Sequence, residues 1–139
     1  MYRHTKNEQG KAHMKRPGLG LIIISVVMFF VAVATDLFWV AKILGRPFPE
    51  TMPVSSSVYD AFAVPDILMS IFLYIGAIGL LKLRKFGLVF SMIAMGMWLF
   101  DSLLVLGITK LSRIDIVGFS LVFAMFTVGY LLHHKDLFH

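Results

Sequence analysis

The chain has 139 residues, 58% of them hydrophobic and only 15% charged, with a formal net charge of +5 and no cysteine; its mean hydropathy is +0.83. Soluble domains carry roughly 25% charged residues, and a chain this short cannot hide so much apolar surface in its own interior, while disorder requires the opposite composition. The absence of cysteine excludes disulfides, thiol nucleophiles, Cys-ligated zinc and iron–sulfur clusters, and one integral membrane domain is left.

Residues 1–17 form a basic tail with Arg3, Lys6, Lys11, Lys15 and Arg16. Residues 18–134 read as a single domain of four transmembrane helices, with spans at about 18–44, 61–81, 86–108 and 114–132. A short C-terminal tail, 135–139, follows. Lipid offers the backbone no hydrogen-bond partner, so the spans must be helices. They are too long and continuous for the strands of an outer-membrane barrel.

The first span (GLGLIIISVVMFFVAVATDLFWVAKIL) is interrupted only by Asp36 and Lys42. Its basic flank, apolar run and Ala32-Val33-Ala34 also fit the three parts of a secretory signal peptide. The apolar stretch continues through Leu37-Phe38-Trp39, which favours an uncleaved span. Residues 45–60 hold Pro47, Pro49, Pro53 and the run Ser55–Ser57, the composition of an ordered turn or lid. Asp66 follows Pro65 early in the second span, and Lys82–Lys85 is a tight basic turn. The third span contains Asp101; the fourth opens on Asp115 after a brief loop with Lys110 and Arg113. Such short connections predict an all-α, up-down four-helix bundle. Asp66-Ile67 with Gly79-Leu80-Leu81, against Asp115-Ile116 with Gly129-Tyr130-Leu131, hints at a 2+2 repeat of helical hairpins.

Of the thirteen basic residues, nine fall on the side of the two termini and the Lys82–Lys85 turn. Lys42, Arg46, Lys110 and Arg113 fall on the other. The expected placement is therefore a multi-pass protein of the cell membrane with both termini cytoplasmic. The basic tail sets topology and touches anionic lipid, and nucleic acid is not an expected partner.

The acids are the informative minority. At a rise of 1.5 Å per residue, Asp36 and Asp101 lie roughly 22 Å above the basic edge, Asp66 roughly 24 Å and Asp115 roughly 30 Å. Each span thus brings one carboxylate to the outer third of the membrane, near Asp60 and Glu50. A charge at the centre of a span costs about 2.5–3.5 kcal/mol even on lenient scales, so these groups need protons, counter-ions or water. Asp60 and Asp115 suit helix caps, or a gate with Lys42, Lys110 and Arg113. For Asp66 capping and a site role compete. Asp36 and Asp101 come late in their helices, where the helix dipole disfavours an anion, so they point to a site. Trp39 is three residues after Asp36 and Trp98 three before Asp101, each on its carboxylate's helix face. Carboxylates beside aromatic rings suit an organic cation; the competing reading of the rings is an interfacial aromatic belt that also takes in Tyr59 and Phe62.

Met69, Met92, Met95 and Met97 suit an apolar core more than a copper site. His133, His134 and His139 lie at the opposite edge from the acids, and no cofactor motif is present. The leading expectation is an acidic and aromatic pocket, built on Asp36, Asp66, Asp101, Trp39 and Trp98, that binds or transports a cation, a proton or an amphipathic amine. A carboxylate that takes up a proton could exchange it for the cation. The alternative is an accessory subunit or homo-oligomer whose aspartates pair with Lys or Arg of a neighbouring chain. A lipid-acting enzyme with paired carboxylates ranks third, because no histidine lies inside the bundle.

Overall fold

The computed structural model describes residues 16–46, 60–110 and 114–139. They form α1 (Leu19–Ile43), α2 (Ala63–Leu81), α3 (Lys85–Ile108), α4 (Ile114–His133) and a terminal 3-10 turn, Lys135–Leu137. The architecture is all-α with four helices, as expected, and no strand occurs among the described residues. Three helices, α1 to α3, are long and apolar enough to cross a membrane; in α4 the apolar stretch is Val117–His133. Arg3 to Lys15 of the tail, the Pro47–Tyr59 loop with Glu50, and Arg113 lie outside the described residues.

Packing follows chain order, α1 on α2, α2 on α3 and α3 on α4. Each helix buries one stripe at helical spacing: Leu21, Ile24, Met28 and Ala32 on α1, and Met69, Leu73, Ala77 and Leu80 on α2. Ala94 and Met95 of α3 join the same core, as do Ala124 and Leu131 of α4. Many buried positions are small or hydroxylic, among them Ser25, Ser70, Ser91, Ser102 and Thr127. Large side chains such as Phe30, Phe100, Phe119 and Phe126 are exposed. That is the inverse of a soluble bundle. In hydrocarbon, large residues lose nothing by facing outward, and helices associate by close contact of small ones.

Close contact is tightest between α2 and α3 at the basic end. A Cβ on Gly79 would run into the backbone of Gly87, and one on Gly87 into the backbone of Gly79 and Leu80. One turn further up, Gly76 faces Ser91 and Met28. The two helices are joined by a C-cap at Lys82 in which the Leu83 N–H donates to Leu80 O (3.0 Å) and Arg84 N–H to Gly79 O (2.9 Å). These are the paired bonds of a Schellman ending, which places the residue after the cap in the left-handed region. That residue is usually glycine; here it is Leu83, with φ 52°. Its side chain is buried, which offsets the steric cost. The chain's last residues fold back on this turn. His139 N–H donates to Leu83 O (3.0 Å), Lys85 N–H donates to His139 O (3.1 Å), and Phe138 enters the core.

Substituting either Gly79 or Gly87 by Ala should lower stability by about 1–3 kcal/mol, the usual cost of overpacking. Gly118→Ala and Gly129→Ala, where an added Cβ meets nothing within 4 Å, should be neutral or slightly stabilising. Unfolding in mixed micelles checks this, and equal effects at all four positions would contradict the close crossing.

Candidate functional site

The acidic residues sit where helix turns dictate. Asp66, Ser70 and Tyr74 are spaced four apart on α2 and so line one helix face. That face turns toward α1. Ser70 Oγ donates to Asp36 Oδ1 at 2.6 Å, and Tyr74 OH donates to Asp36 Oδ2 at 2.9 Å. In return, Trp39 Nε1 on α1 donates to Asp66 Oδ2 at 3.0 Å. Each helix thus supplies both a carboxylate and a donor. Residues 36 and 39 meet 70, 74 and 66 in reverse order, so α1 and α2 run antiparallel.

Trp39 is buried and packs with Phe62 near the acidic end, with Phe38 and Ile108 against them. Above it, Lys42 Nζ lies 5.1 Å from the Trp39 ring centre and pairs with Asp60 at 2.6 Å. Asp60 is exposed, so this is a surface ion pair of small energetic weight. Asp66 lies in the first turn of α2, but no side chain caps that helix start; its oxygen serves Trp39 instead. Asp115 is exposed in the first turn of α4, and Lys110 is exposed just beyond α3.

Asp101 has a different setting. It shares with Asp66 a cavity of about 460 Å³ between α2 and α3. The remaining lining is apolar: Pro65 and Met69 from α2, and Ile93, Met97 and Phe100 from α3, with Phe62 just before α2. No hydrogen bond reaches Asp101 among the described residues. Trp98, expected beside Asp101, packs its ring against Phe123 of α4 at 5.6 Å instead.

Geometry therefore divides the expected pocket. Asp36 and Trp39 belong to the α1–α2 lattice, Asp101 lines the α2–α3 cavity, and Asp66 belongs to both. Trp98 and Asp115 join neither. Ser70 and Tyr74 were not picked out from the sequence. The signal for them was the polar spacing Asp66–Ser70–Tyr74 within an otherwise apolar helix. The second hairpin does not repeat the lattice. At the offset that pairs Asp66 with Asp115, Ser70 and Tyr74 correspond to Phe119 and Phe123, which stack on each other and can donate nothing to Asp101.

Metal binding has little to build on. Among the described residues no three His, Asp or Glu side chains converge. His134 Nδ1 lies 3.0 Å from Tyr130 O, and its ring stacks on Tyr130. Met69 and Met95 are core residues.

In a double-mutant cycle, Ser70→Ala and Tyr74→Phe should each cost about 1 kcal/mol of stability. Both should become nearly silent once Asp36 is replaced by Ala. Full additivity in micellar unfolding would show that the hydroxyls do not act through Asp36. No protein-family model, curated protein or solved structure matches this chain, so the functional reading rests on the geometry of the site.

Proposed function

We propose that this protein is a multi-pass protein of the cell membrane, with both termini cytoplasmic, that binds an organic cation in the α2–α3 cavity and exchanges it against protons. The observation that carries the reading is the cavity itself: about 460 Å³, apolar except for Asp66 and Asp101. That volume falls within the usual range of ligand pockets, which are mostly apolar with a few converging polar groups. Two carboxylates in such surroundings favour a positively charged guest, and a proton is the natural occupant when the guest is absent. In this reading Asp66 and Asp101 carry the charge, while Asp36 holds α1 to α2. The orientation draws on the basic residues Lys82, Arg84, Lys85 and Lys135 at one end of the bundle.

A second reading draws on the exposure of Ile93, Phe100 and Leu104 beside the cavity. A partner helix could present a Lys or Arg there, making the chain an assembly subunit. Mass determination by light scattering and recovery of a stoichiometric partner would favour it.

Saturable binding of a long-chain organic cation, decylammonium or decyltrimethylammonium, is expected in lipid nanodiscs. The double substitution Asp66→Asn with Asp101→Asn should abolish it, and Asp36→Asn should retain it. Undiminished binding by the double variant would overturn the assignment. Because the chain has no cysteine, topology can be read with single introduced thiols. In intact cells Lys110→Cys should react with an impermeant maleimide, and Lys135→Cys only after permeabilisation; the reverse pattern would invert the orientation.

A further inference from the structure

Resting on the cation reading of the α2–α3 cavity, we infer that its ligand is a membrane-soluble primary or secondary amine, held through its N–H groups by Asp66 and Asp101. The acceptors are the first argument. Trp39 Nε1 occupies Asp66 Oδ2, so Asp66 Oδ1 and both oxygens of Asp101 have no donor among the described residues. An alkylammonium carries three N–H donors, as a lysine head does. A quaternary ammonium carries none and would leave those oxygens unmet within apolar walls, which is costly.

The aromatic rings are the second argument. Quaternary cations are recognised by cages of aromatic faces, with Trp the strongest. Neither indole lines this cavity. Trp39 gives its N–H to Asp66 and its face to Lys42, and Trp98 packs on Phe123. Phe62 and Phe100 remain, too few to enclose a quaternary head.

Other cations fit less well. Calcium takes six to eight oxygen ligands, and magnesium demands an octahedral set; beyond the two carboxylates the lining offers carbon and thioether sulfur. A zwitterionic lipid headgroup would bring its phosphate beside two carboxylates, and no Lys or Arg lines the cavity to receive it. The exposed Ile93, Phe100 and Leu104 put the cavity's side on the outer surface of the bundle. The ligand therefore enters laterally from hydrocarbon, its ammonium meeting the carboxylates and its apolar body the methionines and rings.

The test is calorimetric titration of the full chain in phosphatidylcholine nanodiscs, whose lipid has no N–H, with empty discs subtracted. Decylammonium should bind about tenfold or more tightly than decyltrimethylammonium, as expected of a site built around hydrogen bonds. Asp101→Asn should remove most of that preference at an unchanged melting temperature, and Asp101→Glu should restore it. Should Asp101→Asn misfold, Gly96→Leu fills the same cavity from a position whose Cβ meets nothing within 4 Å, and it should abolish binding. Equal or tighter binding of decyltrimethylammonium overturns the amine assignment and leaves the cation reading standing. Failure of both cations to bind overturns both. Including phosphatidylethanolamine in the discs should leave decylammonium affinity unchanged; competition by it would overturn the free-amine assignment in favour of a headgroup.

Discussion

Hydrocarbon supplies no hydrogen bonds, so a carboxylate carried into a span must find donors within the protein, take up a proton or meet a cation. This requirement organises the acidic half of the bundle. Asp36 draws on two hydroxyls of α2, and Asp66 draws on the indole N–H of α1. Satisfying the two acids and joining the two helices are one event. The α1–α2 pair is consequently the part of the molecule with fixed register, and the α2–α3 cavity is positioned by it. Asp66 is the hinge of the arrangement, anchored on one side and open to the cavity on the other.

The basic half is governed by shape. Gly79 and Gly87 let two backbones touch, and Leu83 takes a left-handed turn because its side chain gains a buried place. The fold-back of Phe138 and His139 closes the same corner. Close approach at this end and polar pairing at the other bracket α2 between its neighbours. With α2 held at both ends, the gap between α2 and α3 at the acidic end is a feature of a supported scaffold.

Much of this was legible in the sequence, for identifiable reasons. Span length and apolarity dictate helices, and short links dictate an up-down bundle with neighbours in chain order. Depth is also readable, because the rise per residue is constant, and it brought Asp36, Asp66, Asp101 and Asp115 to the outer third, while late position in the helix set Asp36 and Asp101 apart. Rotation about each helix is not readable in the same way. Trp98 sits three residues from Asp101, yet it turns toward Phe123 because α4 offers a ring there. Trp39 bonds the acid on the neighbouring helix, since a residue's own helix face is only one of the surfaces it can reach. The close approach at Gly79 and Gly87, against open space at Gly118 and Gly129, likewise depends on which face each helix turns inward, which composition does not give.

The contrast between the two hairpins has a mechanical consequence. Sliding α1 along α2 by a single residue would strand two carboxylates and orphan the Tyr74 and Trp39 donors, with Ser70 keeping only Ile67 O of its own helix, so that contact behaves as a pinned joint. Between α3 and α4 no side-chain hydrogen bond crosses among the described residues, and the contact includes the Trp98 and Phe123 rings. Rings can shift over one another by part of a turn without orphaning any group. The fourth helix is held by apolar packing and by the fold-back of Phe138 and His139 onto the α2–α3 turn, so its seat depends on shape where that of α1 depends on polar pairing.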